Sequence, residues 1–323
     1  MLLTKSKYEN STNCVTLNGK SLSCYKDLSD FFQQNKIPLN LNTVNRWVVL
    51  SSIEVSINKK IASVGIPLKN WNIKIYRGVL TGFNEAFIIS GTKREEILNN
   101  CKTEEEKERT AELIRPILRG RDIQRFDFHW AGLYLIATFP SRHYDINHLP
   151  ALKAHLLSFG IEKLEQTGCE HLVKGKKIKA RKKTNNKWFE TQDSISYWED
   201  FLKPKIVWPR LMRISKTQDN TFPRFAYVEK EMFTVDSLCF FTGKDLELLC
   251  EVLNSDYAAY YFLKNVATLD SGGVQMRQQY VEHIPIPPLE KGKNVFDAFC
   301  FTKEEVRFIK DTVTELIAIA QSN

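Results

Sequence analysis

The densest chemistry-bearing stretch is Lys174–Lys187, KGKKIKARKKTNNK, with basic side chains at Lys174, Lys176, Lys177, Lys179, Arg181, Lys182, Lys183 and Lys187 and no acidic one. The whole chain has 46 Lys and Arg against 38 Asp and Glu, a net charge of +8. That one stretch therefore carries the entire positive excess, and the rest of the chain is neutral. A focused cationic patch suits a polyanion, and its flexible lysines suit phosphate contact. A solvated surface loop without a partner is the competing reading.

Catalytic and metal-binding patterns are missing from the sequence. CVTLNGKS (14–21) approaches a phosphate-binding loop, but Cys14 stands where its first glycine belongs. No GxGxxG or GxSxG occurs, no CxxC pairs the seven cysteines, and Cys169 with His171 is the one close Cys/His pair. No proline precedes an aspartate, and the single Pro-Pro, Pro287–Pro288, is followed by Leu289. The Asp/Asn-Pro-Pro-aromatic device for holding a flipped base is thus absent. The expectation is a chain that catalyses nothing by itself and holds no metal or cofactor. An odd cysteine count, a start without a signal-like apolar stretch and no run approaching about twenty apolar residues lead to the expectation of a reduced, cytoplasmic protein without a membrane helix.

Residues 1–45 are polar, Asn-rich and of unclear structure apart from a weakly helical SCYKDLSDFFQQNKI. WNIKIYR (71–77) alternates as a strand, GVLTGFN turns, and EAFIIS returns. Thr92 with Glu95 and Thr103 with Glu106 fit capping boxes, the second helix running towards Pro116. RDIQRFDFHW and GLYLIATFP read as a strand pair, and 149–166 has helical spacing weakened by Gly160. KPKIVWPRLM, RFAYVEK and MFTVDSLCFFTG are strand-like. KDLELLCEVLNSDYAAYYFLKNV is helical with a break near Asn254–Ser255, and IPIPP (284–288) blocks regular structure. A last helix from Thr302, capped by Glu305, places Val306, Ile309, Val313, Leu316 and Ala320 on one seam. That seam either packs on its own domain or docks to a partner, a second copy included. The class is α+β, with a mixed or antiparallel sheet and a C-terminal helix.

Four strings resemble one family in order and spacing: KNWNIKIYRGVLTGFNEAFII (69–89), IRPILRGRDIQRF (114–126) with WAGLYLI (130–136), WFETQDSISYWEDFLKPKIVWP (188–209) and YVEHIPIPPL (280–289). Together they resemble the TaqI-like C-terminal specificity domain of type IIG restriction–modification enzymes and adenine-N6 DNA methyltransferases. The resemblance implies a target-recognition domain over 46–290; by its own spacing 291–323 is a C-terminal helix, packing or docking. It also implies that S-adenosylmethionine and methyl transfer belong to a separate or missing catalytic domain.

On this footing the partner is double-stranded DNA. Gly78, Gly82 and Asn84 in RGVLTGFN shape a structural motif. Arg119, Arg121 and Arg125 divide between phosphates and the nearby Asp122 and Asp127. Trp188, Tyr197, Trp198 and Trp208 are assigned to the core. Base reading falls to two polar loops: PRLMRISKTQDN (209–220), with Arg210, Arg213, Lys216, Gln218 and Asn220, and SGGVQMRQQY (271–280), with Gln275, Arg277 and Gln278. Arginine suits a bidentate pair with guanine, and Gln or Asn one with adenine. The expected function is a sequence-specific recognition module of a restriction–modification system without its own catalytic domain. Three alternatives stand beside it: part of a type IIG methyltransferase/endonuclease, a type I-like specificity half-subunit, and a non-specific nucleic-acid-binding protein.

Overall fold

The computed structural model describes residues 12–15, 27–39, 50–214, 222–269, 272–288, 290 and 292–322. Most of CVTLNGKS, together with Lys216, Gln218 and Asn220, lies outside the described residues. Within the N-terminal segment, the helix Leu28–Asn35 starts at Asp27, whose carboxylate accepts the Ser29 and Asp30 N–H groups.

At the centre are four antiparallel strands in the order Ala226–Val228, Lys205–Pro209, Leu238–Gly243 and Ile73–Arg77. Ile206 and Trp208 lie on one face with their partners Phe241 and Cys239; Val207 and its partner Phe240 lie on the other. Both faces are buried, so nothing demands apolar–polar alternation, and IVWP and LCFF read as unbroken apolar runs. The first face is covered by the helices Ser52–Val64, Leu246–Leu253, Asp256–Asn265 and Lys303–Ser322. Against the second lie the helices Gly91–Asn99, Glu104–Leu113 and Pro150–Leu157. They share that core with a second sheet in the order Phe233–Thr234, Ile114–Leu118, Leu133–Ile136 and Ile88–Ser90. Only its Phe233–Thr234 pairing is parallel. The class is α+β, with mixed and antiparallel sheets.

Several boundaries differ from the sequence reading, each for a local reason. Ser90, not Thr92, caps the first of the two successive helices, because the strand Ile88–Ser90 runs straight into it. Thr103 does accept the Glu106 N–H, but the Glu106 carboxylate turns to the Lys102 and Ala151 N–H groups. The helix it caps ends at Leu113, because Ile114–Leu118 joins the sheet. Pro116 sits there where the strand exchanges one neighbour for another, a place that tolerates its missing N–H. The strand partner of Leu133–Ile136 is therefore IRPIL and not RDIQRFDFHW, which bends around the buried Asp122. EAFIIS opens with a helical turn, Asn84–Phe87, before its strand. Residues 149–166 form two helices separated by Gly160 at φ +89°.

The two C-terminal expectations hold locally. Ser255 caps the helix that follows the break, and Asn254, fully buried, donates to the Phe225 and Cys250 carbonyls and accepts the Phe225 N–H. Thr302 and Glu305 exchange both capping hydrogen bonds. The seam of the last helix packs inward: Ile309, Val313 and Ala320 are buried in the first core. Its outer side is mostly polar, with Lys303, Glu304, Arg307, Lys310, Asp311 and Glu315 exposed, and Ile319 exposed near its end.

Candidate nucleic-acid interface

The first part of the basic stretch is the turn and one arm of a hairpin, and 180–187 follow it as irregular backbone. Glu170–Val173 and Lys176–Lys179 pair antiparallel, with Leu172 opposite Lys177 and Glu170 opposite Lys179. Lys174 and Gly175 close it, both at positive φ (47° and 77°). A two-residue turn of that handedness matches the twist of the strands it joins. Alternation splits the hairpin into two faces. His171, Val173 and Ile178 are half-buried on one; Glu170, Leu172, Lys177 and Lys179 are exposed on the other. Leu172, at 75%, has the greatest exposure of any large hydrophobic side chain among the described residues. Lys174, Lys176, Lys182, Lys183 and Lys187 are exposed as well.

Arg181 departs from the assignment to phosphates. It is only 4% exposed, and all five of its N–H groups reach backbone carbonyls: Leu164 from Nε and Nη2, Thr81 and Glu190 from Nη1, and Trp188 from Nη2. Its guanidinium lies 5.0 Å from the centre of the Phe87 ring. Burial pulls its pKa down to about 10, against the opposing pull of the Glu190 charge. Backbone pairing continues past the hairpin through Ala180 N–H to Cys169 O and Arg181 N–H to Glu165 O. Arg181 thus roots the hairpin in the body of the protein.

That root also explains RGVLTGFN. Gly82 is at φ +78°, and a Cβ there would lie 2.6 Å from Gln192 Oε1 and 3.0 Å from Arg181 Cδ. At Gly78 a Cβ would fall 2.0 Å from the Val235 carbonyl oxygen. Asn84 accepts the Thr81 hydroxyl hydrogen at 2.6 Å, while Thr81 Oγ1 accepts the Phe83 N–H. The three residues act on the turn itself.

The two polar loops meet. Met212–Arg213 pairs with Gly273–Val274, and Ile214 N–H donates to Gly272 O, so chain segments about sixty residues apart share one ladder. Trp208, fully buried in the central sheet, donates from Nε1 to Met276 O at 2.7 Å. Met276 is buried, while its neighbours Gln275 and Arg277 are half-buried and exposed, respectively. Arg213 is exposed; Arg210 is half-buried and donates to Asp236 O. Gln278 bonds Glu282 Oε2 at 3.2 Å. Beneath this edge Gly272 is at φ +71°, and a Cβ would lie 2.6 Å from Ala320 O of the last helix. Neither the Trp208 tether nor the Ala320 contact is signalled in the sequence, because each joins residues remote along the chain.

The remaining candidates separate. Arg119 is committed to Asp122 through N–H and guanidinium, Arg125 donates to Asn254 O, and Arg121 is exposed. Trp208 is core; Trp188, Tyr197 and Trp198 are half-buried, Tyr197 stacking on Tyr76 at 4.6 Å and Trp198 lying 4.3 Å below the Arg142 guanidinium. Burial raises the Cys239 thiol to about 11 and that of Cys250 to about 12 despite opposing hydrogen bonds or charges, which makes both poor nucleophiles. Among the described residues no three His, Cys, Asp or Glu side chains gather as metal ligands, and no helix is long and apolar enough to cross a membrane.

Comparison with known proteins gives one family. The model of the TaqI-like C-terminal specificity domain matches residues 115–286, just over half of the chain. No curated protein matches. Among solved structures, the type IIG restriction endonuclease BpuSI is similar over 84% of this chain and 33% of its own, with 13% identity and a TM-score of 0.48. The type IIL restriction-modification enzyme MmeI, solved in complex with DNA, is similar over 88% of this chain and 37% of its own, with 8% identity and a TM-score of 0.46. The chain thus spans about a third of the length of each.

Proposed function

Because the chain belongs to the TaqI-like C-terminal specificity domain family, we propose that it is a sequence-specific double-stranded DNA recognition module of a restriction–modification system. Methyl transfer, with its S-adenosylmethionine, falls in this reading to a separate methyltransferase or endonuclease domain or subunit. The observation that carries the reading is the shared ladder of the two polar loops. It brings Arg213 beside Gly273, two residues before Gln275 in the chain, and the Trp208 hydrogen bond to Met276 O holds the backbone between Gln275 and Arg277. A guanidinium and an amide on a rigid support suit base edges in the major groove, where fixed geometry is what converts a hydrogen bond into discrimination.

A second reading, non-specific nucleic-acid binding, draws on the exposed lysines of the hairpin, since phosphate contact alone raises affinity for every sequence. Selection from a pool of randomised 20-base-pair duplexes separates the two. The proposal expects a short recurring sequence after successive rounds, held against a scrambled competitor. Enrichment of no sequence, with binding that salt abolishes uniformly, supports the second reading and overturns the first.

A further inference from the structure

We propose that the hairpin Glu170–Lys179 enters the major groove of DNA as a two-stranded ribbon, with Leu172 lying against the C5 methyl groups of thymines and Lys177 and Lys179 contacting the flanking phosphates. The inference rests on the DNA-recognition reading and adds an apolar contact at a place assigned only to charge.

Three observations carry it. First, the hairpin stands on a fixed root. Arg181 saturates carbonyls of three chain segments at its base, and the Lys174–Gly175 turn closes its tip without slack. Five residues from Cys169 to Val173 at about 3.3 Å each give a reach of about 17 Å. The major groove is about 8.5 Å deep and about 12 Å wide, enough for a two-stranded ribbon.

Second, the exposed face is mixed in a way that a purely electrostatic arm does not need. Leu172 is 75% exposed, directly opposite Lys177, on the more exposed face of the hairpin. A single exposed leucine elsewhere would call for no explanation. Here it lies two residues from the tip of the segment that carries the whole positive excess. A partner that covers it must also accept several lysines, and charge complementarity selects a polyanion with an apolar feature between its phosphates. Thymine methyl groups in the major groove are such a feature.

Third, alternation places Leu172, Lys177 and Lys179 on one side, with Glu170 opposite Lys179 at the end away from the tip, so phosphate contact by the lysines and burial of the leucine occur in a single docking.

The test uses the full chain and a duplex selected from a randomised 20-base-pair pool. Leu172→Ser should lower affinity for that duplex about tenfold and leave the salt slope unaltered, because an apolar contact releases no counterions. Leu172→Met should bind like the wild type. The combined Lys177→Gln and Lys179→Gln variant should weaken selected and scrambled duplexes alike and flatten the salt slope by up to about 2. Replacing every thymine of the selected duplex by uracil should weaken the wild type and leave Leu172→Ser nearly unaffected. Equal affinities of wild type and Leu172→Ser, or an equal response of the two to uracil, overturn groove insertion while leaving sequence recognition standing. A wild type that selects no duplex overturns the recognition reading itself. The substituted side chains are exposed, so unfolding midpoints should stay unchanged.

Discussion

At the scale of single residues, Arg181 shows how a side chain can belong to a charged run and yet have the opposite role. Its neighbours Lys182 and Lys183 are exposed, whereas its planar fork of five donors is enclosed by carbonyls of Leu164, Thr81, Trp188 and Glu190. Only a guanidinium offers that many donors in fixed directions; an ammonium has three and swivels. Replacing Arg181 by Lys leaves at least one of these carbonyls without a donor, and each buried orphan costs about 1–3 kcal/mol. Arg181→Lys should therefore lower stability by about 2–4 kcal/mol in urea unfolding. It should also speed tryptic cleavage at Lys174 and Lys176, as the hairpin loses its root. An unchanged midpoint would mean that the cage of carbonyls contributes nothing net.

At the scale of elements, the start of the last helix is tied to the helix Ser52–Val64 through one carboxylate. Glu305 caps its own helix at the Thr302 N–H and also accepts from Lys60 Nζ and Ser56 Oγ, both at 2.7 Å. Burial raises its pKa, but these hydrogen bonds and the Lys60 charge prevail and bring it down to about 2. A folded-state pKa below the unfolded value near 4.5 means stabilisation that is complete above that value and disappears as pH falls through about 2. Glu305→Gln should then be less stable by about 2 kcal/mol at neutral pH, and the gap should close between the two pKa values in acid unfolding curves. The Thr302–Glu305 cap was legible in the sequence because capping is local, and so were the Asn254–Ser255 break and the apolar strands of the central sheet. The hairpin was not: lysine is a weak strand former, and Lys-Gly is not among the stronger hairpin-turn pairs, so KGKKIKARKKTNNK reads as solvated loop. Pro116 misled because its fitness for a strand depends on which neighbour lies beside it.

At the scale of the whole molecule, the sheet buried on both faces and the core beneath it support two surfaces. One is the edge with Arg213, Gln275 and Arg277, reached through the Trp208 tether; the other is the lysine-bearing hairpin, reached through Arg181. The polar content of both surfaces was legible as residue types. That 212–213 pairs with 273–274 was not, since two-residue strands carry no periodicity to detect. The division of labour proposed for the two surfaces has a direct consequence. Lysines on phosphates act on every sequence and set the salt dependence, whereas side chains on base edges add roughly 1–3 kcal/mol of discrimination per good bidentate pair. Neutralising Lys176, Lys177, Lys182 and Lys183 to Gln should weaken a selected and a scrambled duplex by similar factors and reduce the slope of log affinity against log salt. Arg277→Ala or Gln275→Ala should instead cut the ratio between the two duplexes by about tenfold or more, with a small effect on the scrambled one. Titrations of both duplexes at several salt concentrations measure the two quantities independently. Loss of preference from the lysine changes, with none from Arg277 or Gln275, would assign the hydrogen-bonded base reading as well as the Leu172 contact to the hairpin and leave the ladder edge as its support.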